Sequence, residues 1–223
     1  MIVSLATKRS PWGAAGRSDH EREPAHLCCD YLMHLATTEQ ANELLAAEPL
    51  ALLIGMLLDQ QIPMEKAFTS PAVLRERLGG VLDARTIADH DAVALEEIFR
   101  TPPALHRFPA AMAKRVQALA AVLVERYDGS ASAVWDGVDT GDELVRRIGE
   151  LPGFGAQKAR IFAALLGKQY GVRPQGWREA AGDYGADGAL RSVADVVDAA
   201  SLKAVRAHKQ QLKAAAKAAS TQS

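Results

Sequence analysis

Residues 151–159, Leu-Pro-Gly-Phe-Gly-Ala-Gln-Lys-Ala, combine the residue types that can bind an anion. Gly153 and Gly155 can adopt positive φ angles and can bring bare backbone close to a ligand. A helix that begins just after them has unpaired N–H groups and the positive end of its dipole at this point. Such a corner binds a phosphate group, and Lys158, one turn into the helix, could add a charge-assisted contact.

Apolar spacing predicts a helix on each side of this segment. Before it, Leu144, Ile148 and Leu151 recur at i, i+4 and i+7, and acidic residues lie in the first turn. After it, a second apolar stripe occupies residues 161–166. Both spacings are typical of amphipathic helices, so the segment is predicted to be the hairpin of a helix-hairpin-helix unit.

A second group of candidate residues follows a strongly apolar segment. Residues 50–58 are apolar on all sides, which predicts a central helix, and Asp59, Gln60 and Gln61 come directly after it. Polar groups at the end of a buried helix must find partners or face a pocket. The alternative is a helix end that faces solvent and is bounded by Pro63.

The apolar-Pro-Gly-apolar-Gly-x-x-x-Ala pattern of residues 151–159 strongly resembles the helix-hairpin-helix of the HhH-GPD base-excision DNA glycosylases. This is the superfamily of endonuclease III and the alkyladenine glycosylases. The likeness extends over roughly residues 38–180, and a small bacterial subgroup looks similar even through residues 172–177. It implies an all-α, two-lobed helical fold with the groove for DNA and the damaged base between the lobes.

The resemblance also implies which residues contact DNA. Residues 59–61 look like the family's Ser-Gln-Gln segment near the lesion pocket, where a Gln side chain fills space or bonds a base edge in the minor groove. The DNA-contacting set that follows from the resemblance comprises Gly153, Phe154, Gly155, Gln157, Lys158, Gln60, Gln61 and Lys114.

Two family positions for catalysis are occupied by amides. The family's carboxylate, an aspartate about twenty residues beyond the second hairpin glycine, corresponds to Gln175, and the lysine of the lyase-competent members corresponds to Gln157. Gln157 has no amine for a Schiff base, so lyase activity is not expected. An amide at Gln175 can orient a water but cannot stabilise a cationic sugar by charge.

Three hypotheses account for the missing aspartate. Another carboxylate has taken over its role, with Asp59 the first candidate and Asp183 or Asp187 the next. Alternatively, the protein is a weak glycosylase for a base that leaves easily, with Gln175 orienting the water. The third hypothesis is that it binds DNA without cleaving anything, for which the hairpin alone suffices.

Trp177, two residues beyond Gln175, is the aromatic residue that we place nearest the base pocket. Its ring could stack on a base that has left the double helix. The alternative is an ordinary core tryptophan, and the sequence favours neither.

Composition agrees with a helical protein that contacts DNA locally. The chain has 223 residues, 5% of them aromatic, and a formal net charge of −1. Residues 201–223 carry five Lys or Arg and no acid, so the first 200 residues carry −6. An acidic body does not coat nucleic acid by charge alone, whereas the basic segment is predicted to form a helix that follows a DNA backbone or lies in solvent.

Neither a metal nor a cofactor is expected. Only two cysteines occur, Cys28 and Cys29, and two adjacent sulfurs cannot supply a four-cysteine cluster, so the iron–sulfur loop of many relatives is missing. None of the six histidines has a carboxylate or cysteine at ligand spacing. His106 is more typical of a loop or phosphate contact.

Three regions are predicted: residues 1–32 as a disordered extension, 33–200 as the glycosylase-like domain, and 201–223 as a basic C-terminal helix and tail. No apolar run of about 18 residues and no convincing signal peptide occur, so we expect no membrane contact and a cytoplasmic monomer, nucleoid-associated when on DNA.

The favoured function is a monofunctional DNA N-glycosylase that removes a damaged or mispaired base from duplex DNA. The alternatives are a non-catalytic DNA-binding or lesion-sensing protein and, more remotely, an interaction module that uses its C-terminal helix.

Overall fold

The computed structural model describes residues 33–221, with residues 212, 213 and 215–221 described by their backbone alone. The predicted extension 1–32 lies outside the described residues. The described part contains helices and no strand, as predicted. The α-helices are α1 (Glu39–Ala47), α2 (Pro49–Leu58), α3 (Met64–Arg77), α4 (Ala84–Ala88), α5 (Ala92–Arg100), α6 (Pro109–Tyr127), α7 (Gly141–Gly149), α8 (Ala156–Gln169), α9 (Trp177–Ala181) and α10 (Ala199–Thr221).

Helix α2 is the centre of the core, as its composition predicts. Every residue from Leu50 to Leu58 is buried, and Pro49 occupies the first turn, where its missing N–H is not needed. The next helix approaches α2 closely at Gly55. A Cβ at this glycine would lie 2.7 Å from the Phe68 ring of α3, so only glycine fits.

Helices α1 to α6 pack together around the first half of the core. Side chains of Thr38, Asp83 and Asp91 accept hydrogen bonds from the first turns of α1, α4 and α5, which fixes where these helices begin. The long helix α6 contacts α4 and α5 and buries one face. The buried residues on that face are Met112, Ala113, Val116, Leu119, Ala120 and Leu123.

The second group of helices is built on α7 and α8. Thr140 caps α7, and Leu144 and Ile148 are fully buried, so the predicted first stripe is confirmed. In α8 the buried face includes Phe162 and Leu165, so the second stripe is confirmed too. Helix α9 packs against α7 and α8. The turn between α7 and α8 lies against the C-terminal end of α2, where the two groups of helices meet.

None of the described helices is by itself long and apolar enough to cross a membrane. Helices α1 and α2 together reach the required length and composition, but they are bent by 114° relative to each other.

Candidate functional site

The two hairpin glycines have different surroundings. Gly153 has φ +84°, and a Cβ there would lie 2.6 Å from Leu57 Cδ1, so glycine is required both by conformation and by the contact with α2. Gly155 is the N-cap of α8 with an ordinary φ of −83°, and nothing lies within 4 Å of the Cβ it lacks. Between them, Phe154 is buried, with its ring centroid 5.8 Å from that of Phe162. The hairpin is thus anchored by Phe154 and open at Gly155.

The first turn of α8 is available to an anion. No side chain caps it, and Gly155, Ala156 and Gln157 are exposed. The first N–H groups of the helix and the positive end of its dipole therefore face open space. This is the arrangement that the glycine spacing predicts for a phosphate-binding corner.

Lys158 turns towards α2. Its Nζ donates hydrogen bonds to the carbonyl oxygens of Met56 and Leu57, both at 2.9 Å, and lies 5.9 Å from the Phe154 ring centroid. Burial lowers the pKa of Lys158 to about 8, although the nearby Asp59 carboxylate opposes the shift. Two of the three N–H donors of Lys158 therefore bond to the last main-chain carbonyls of α2. The phosphate contact predicted for Lys158 stays a prediction.

A groove of about 800 Å³ lies at the end of α2. It is bordered by the loop before α3, the start of α8 and one face of α10. We call it the α2–α8–α10 groove. Its lining residues are Met56, Asp59, Gln60, Gln61, Ile62, Pro63, Met64, Glu65, Gln157, Lys158, Ile161, Leu202, Val205, Arg206, Lys209 and Gln210.

Asp59 is the C-cap residue of α2 and lies half-buried in this groove. Burial raises the pKa of its carboxyl group, and Glu65 adds to the effect. Lys209 and Lys158 act in the opposite direction. Asp59 is therefore a desolvated carboxylate whose pKa is affected by a lysine of the hairpin helix and a lysine of the C-terminal helix, and carboxylates in such environments are common at functional sites.

The two glutamines after Asp59 differ in exposure and in hydrogen bonding. The Gln60 side chain is held: Nε2 donates to the Leu57 carbonyl at 2.8 Å, and Oε1 accepts from Arg115 Nη1 at 2.8 Å. Gln61 is exposed and has φ +58°, a left-handed conformation that is unusual for a residue with a side chain. Gln60 thus shapes the loop, and Gln61 is free to meet a partner.

His106 supports the same loop from inside. It is buried, and its Nε2 lies 2.9 Å from the Gln60 main-chain oxygen, while Nδ1 accepts from the Phe108 N–H at 3.0 Å. Burial lowers the pKa of His106. Of the two interpretations of His106, this arrangement agrees with the loop contact and not with the phosphate contact, because the buried ring orders the backbone behind Gln60.

Gln175 and Trp177 do not line the α2–α8–α10 groove. Gln175 is exposed, and its backbone pairs with the start of α7, donating to the Asp139 carbonyl at 3.0 Å. Trp177 is buried against Gly167, where an added Cβ would lie 2.4 Å from the indole ring. This packing favours the core tryptophan over a base-stacking residue, because the ring face is already in contact with α8.

The other sequence candidates are on the surface. Asp183 pairs with Arg191 at 2.8 Å and Asp187 with Arg178 at 2.6 Å, all four outside the groove. Lys114 is exposed on the outer face of α6. Of the carboxylates considered from sequence, only Asp59 lies in the groove.

Helix α10 supplies residues that sequence analysis did not connect with the site. Val205 is buried, Arg206 forms an ion pair with Glu65, and Lys209 lines the same groove as Asp59 and lowers the pKa of its carboxyl group. The side chains of Lys213 and Lys217 lie outside the described part. The only sequence signal was the one-sided spacing of the cations, and spacing alone does not show that they face α2 and α3.

Within residues 33–221, no group of three or more His, Cys, Asp or Glu side chains could hold a metal ion. The chemistry available in the groove is that of carboxylates, amides and cationic side chains.

A helical body with an open glycine hairpin at a helix N-terminus, next to a groove that contains a carboxylate, is the arrangement of a helix-hairpin-helix protein. Residues 54–222 match the family model of the HhH-GPD superfamily base excision DNA repair protein, and the chain belongs to this family. The match includes α10. Comparison with curated proteins and with solved structures gives no match. Membership of this family establishes a role in DNA repair.

Proposed function

We propose that the protein is a monofunctional DNA N-glycosylase in which Asp59 replaces the family's catalytic aspartate. The observation that carries this proposal is the position of Asp59, half-buried in a groove of about 800 Å³ that adjoins the hairpin. The groove has room for a base that has left the double helix. A carboxylate at its wall supplies the negative charge that a cationic sugar needs.

Binding begins at the hairpin. The main-chain N–H groups of Gly155, Ala156 and Gln157 bind one phosphate of duplex DNA, and Gln61 enters the space that the damaged or mispaired base leaves behind. Unstacking that base costs about a few kcal/mol, and the cost is smaller where damage or mispairing has already weakened the pair.

In the chemical step the bond between C1′ and the base nitrogen breaks, and its electron pair leaves with the base. The Asp59 carboxylate stabilises the positive charge that develops on the sugar and accepts a proton from the attacking water. The water oxygen bonds to C1′, which leaves an abasic site and an intact strand.

The residue at the family's lysine position supports hydrolysis rather than strand cleavage. Lys158 comes one position later, and its Nζ donates to the main-chain carbonyls of Met56 and Leu57, both at 2.9 Å, which ties the group to the end of α2. With Gln157 at the family's lysine position, no residue of the first turn of α8 is suited to form a Schiff base.

A single-turnover assay tests the proposal, with enzyme in excess over duplexes that carry uracil, hypoxanthine, alkylated bases, oxidised bases or mismatches. Each product is divided, and one half is treated with alkali to cut abasic sites. We expect cutting of at least one duplex after alkali and none without it. Cutting without alkali would contradict the monofunctional assignment, and no cutting of any duplex would contradict glycosylase activity.

The second candidate is a non-catalytic lesion-sensing protein. Gln175 favours it, because an amide stands at the family's carboxylate position and is exposed outside the groove. This candidate predicts duplex binding that prefers one kind of damage, with no cleavage of any duplex in the panel.

A further inference from the structure

The α2–α8–α10 groove carries more positive than negative charge. Lys158, Arg206 and Lys209 line it, against the two carboxylates of Asp59 and Glu65. Glu65 is already engaged, since its carboxylate pairs with Arg206. A ligand that enters the groove therefore meets two ammonium groups and one carboxylate that is not committed to an ion pair.

None of the residues that line the groove within the described part is aromatic. Its apolar wall is aliphatic or thioether, formed by side chains such as Met56, Ile161, Leu202 and Val205. These groups contact the face of any base by dispersion. They offer no ring quadrupole to attract a cation, so the groove lacks the usual means of favouring a positively charged base.

Amide groups provide the remaining polar surface. Gln61 and Gln210 line the groove, and neither side chain has a hydrogen bond among the described residues. Gln157 also lines the groove but is less available, because its amide nitrogen donates to Tyr184 Oη at 2.8 Å and Tyr184 is not part of the groove lining. An amide has both a donor and an acceptor, and it matches a base edge that presents an N–H beside a C=O.

We infer that the groove selects an uncharged base with a lactam edge, such as a base formed by deamination, over a cationic alkylated base. The inference rests on the proposed function, because it assigns the substrate class of the same groove. A cationic base would be placed beside Lys158 and Lys209 without an aromatic partner. An uncharged base with a lactam edge meets no like charge and finds amide partners.

Binding to duplexes that cannot be cleaved tests this selectivity. Two duplexes differ in one nucleotide, hypoxanthine or 7-methylguanine, each opposite cytosine and each on a 2′-fluoro sugar that resists glycosidic cleavage. A third duplex carries guanine at that position. We expect the hypoxanthine duplex to bind about tenfold more tightly than the 7-methylguanine duplex. Equal affinity, or tighter binding of 7-methylguanine, would overturn the inference.

A pair of variants tests the physical reason. Lys209→Gln removes a cation from the groove and should narrow the preference about threefold or more. Lys203→Gln removes an exposed cation from the same helix outside the groove and should leave the preference unchanged. A preference that is the same in Lys209→Gln and in the wild type would refute the electrostatic basis of the selection.

These experiments separate the two proposals. A preference for hypoxanthine without cleavage of natural duplexes would retain the selectivity and refute the glycosylase. Cleavage of natural duplexes, together with equal or tighter binding of the 7-methylguanine duplex, would retain the glycosylase and refute the selectivity.

Discussion

At the scale of single residues, the two glutamines after α2 have roles that their sequence neighbourhood could not separate. Gln60 bonds to Leu57 and Arg115, whereas Gln61 is exposed with a positive φ. Gln60→Ala should lower the free energy of unfolding by about 1 kcal/mol, because the hydrogen bonds of its side chain with the Leu57 carbonyl and with Arg115 are lost. Gln61→Gly should preserve stability and weaken duplex binding about tenfold. Thermal melts and duplex titrations of both variants check this; the reverse pattern would refute the assignment.

We expect the ionisation of Asp59 to determine how the rate depends on pH. The mechanism needs an ionised carboxylate, and burial raises its pKa above the ordinary aspartate value. As the pH falls through this raised pKa, Asp59 is protonated and the rate falls with it. Lys209 lowers that pKa, so Lys209→Gln should move the acidic limb to higher pH.

Single-turnover pH–rate profiles of the wild type and Lys209→Gln measure this limb, with Lys203→Gln as the matched control. An acidic limb that stays in place when Lys209 is neutralised would show that another group titrates.

At the scale of elements, the hairpin offers a direct test of its DNA contact. A Cβ at Gly155 would meet nothing within 4 Å, so Gly155→Ala should fold normally. It should nonetheless weaken duplex binding about tenfold, because the new methyl group occupies the space that a phosphate approaches. Gly149→Ala, at the end of α7, is the control and should leave binding unchanged. Gly153→Ala is unsuitable, because it would force a left-handed φ and a clash with Leu57.

Equal binding by Gly155→Ala, Gly149→Ala and the wild type, measured by titration of a short duplex, would show that the hairpin does not contact DNA.

Much at this scale could be predicted from sequence. The stripe of Leu144 and Ile148 and the apolar composition of α2 each depend on local chemistry, and each element occurs where these features indicate. The position of α10 beside the groove that contains Asp59 could not be predicted, because it brings together residues about 150 positions apart, such as Asp59 and Lys209. The helical period of α10 is the same whether its cations face solvent or a groove.

Trp177 illustrates the same limit at the site. Its position two residues beyond Gln175 is consistent with a pocket residue. Its burial against Gly167 depends on how closely α8 and α9 approach each other, which the sequence does not show. Lys158 is similar, since one turn of helix places it near the hairpin but cannot show that α2 ends beside it.

At the scale of the whole molecule, the charge distribution limits how DNA is bound. The net charge is −1, and Arg206 and Lys209 of the basic helix already face Glu65 and Asp59. DNA contact is therefore local, with about two to four phosphates neutralised. The slope of log K against log salt concentration should be about −2 to −4 in a duplex titration. A slope steeper than about −6 would indicate a broad cationic surface instead.

In the proposed mechanism Asp59 is the catalytic carboxylate, and Gln175, at the family position, is dispensable. The decisive measurement is the single-turnover rate of Asp59→Asn on the best duplex of the panel, with duplex affinity measured in parallel. We expect a loss of about 100-fold or more in rate, with affinity within about threefold of the wild type. Asp183→Asn and Gln175→Ala should each retain most of the rate. A wild-type rate in Asp59→Asn, or a larger loss of rate in Gln175→Ala, would show that Asp59 is not the catalytic carboxylate.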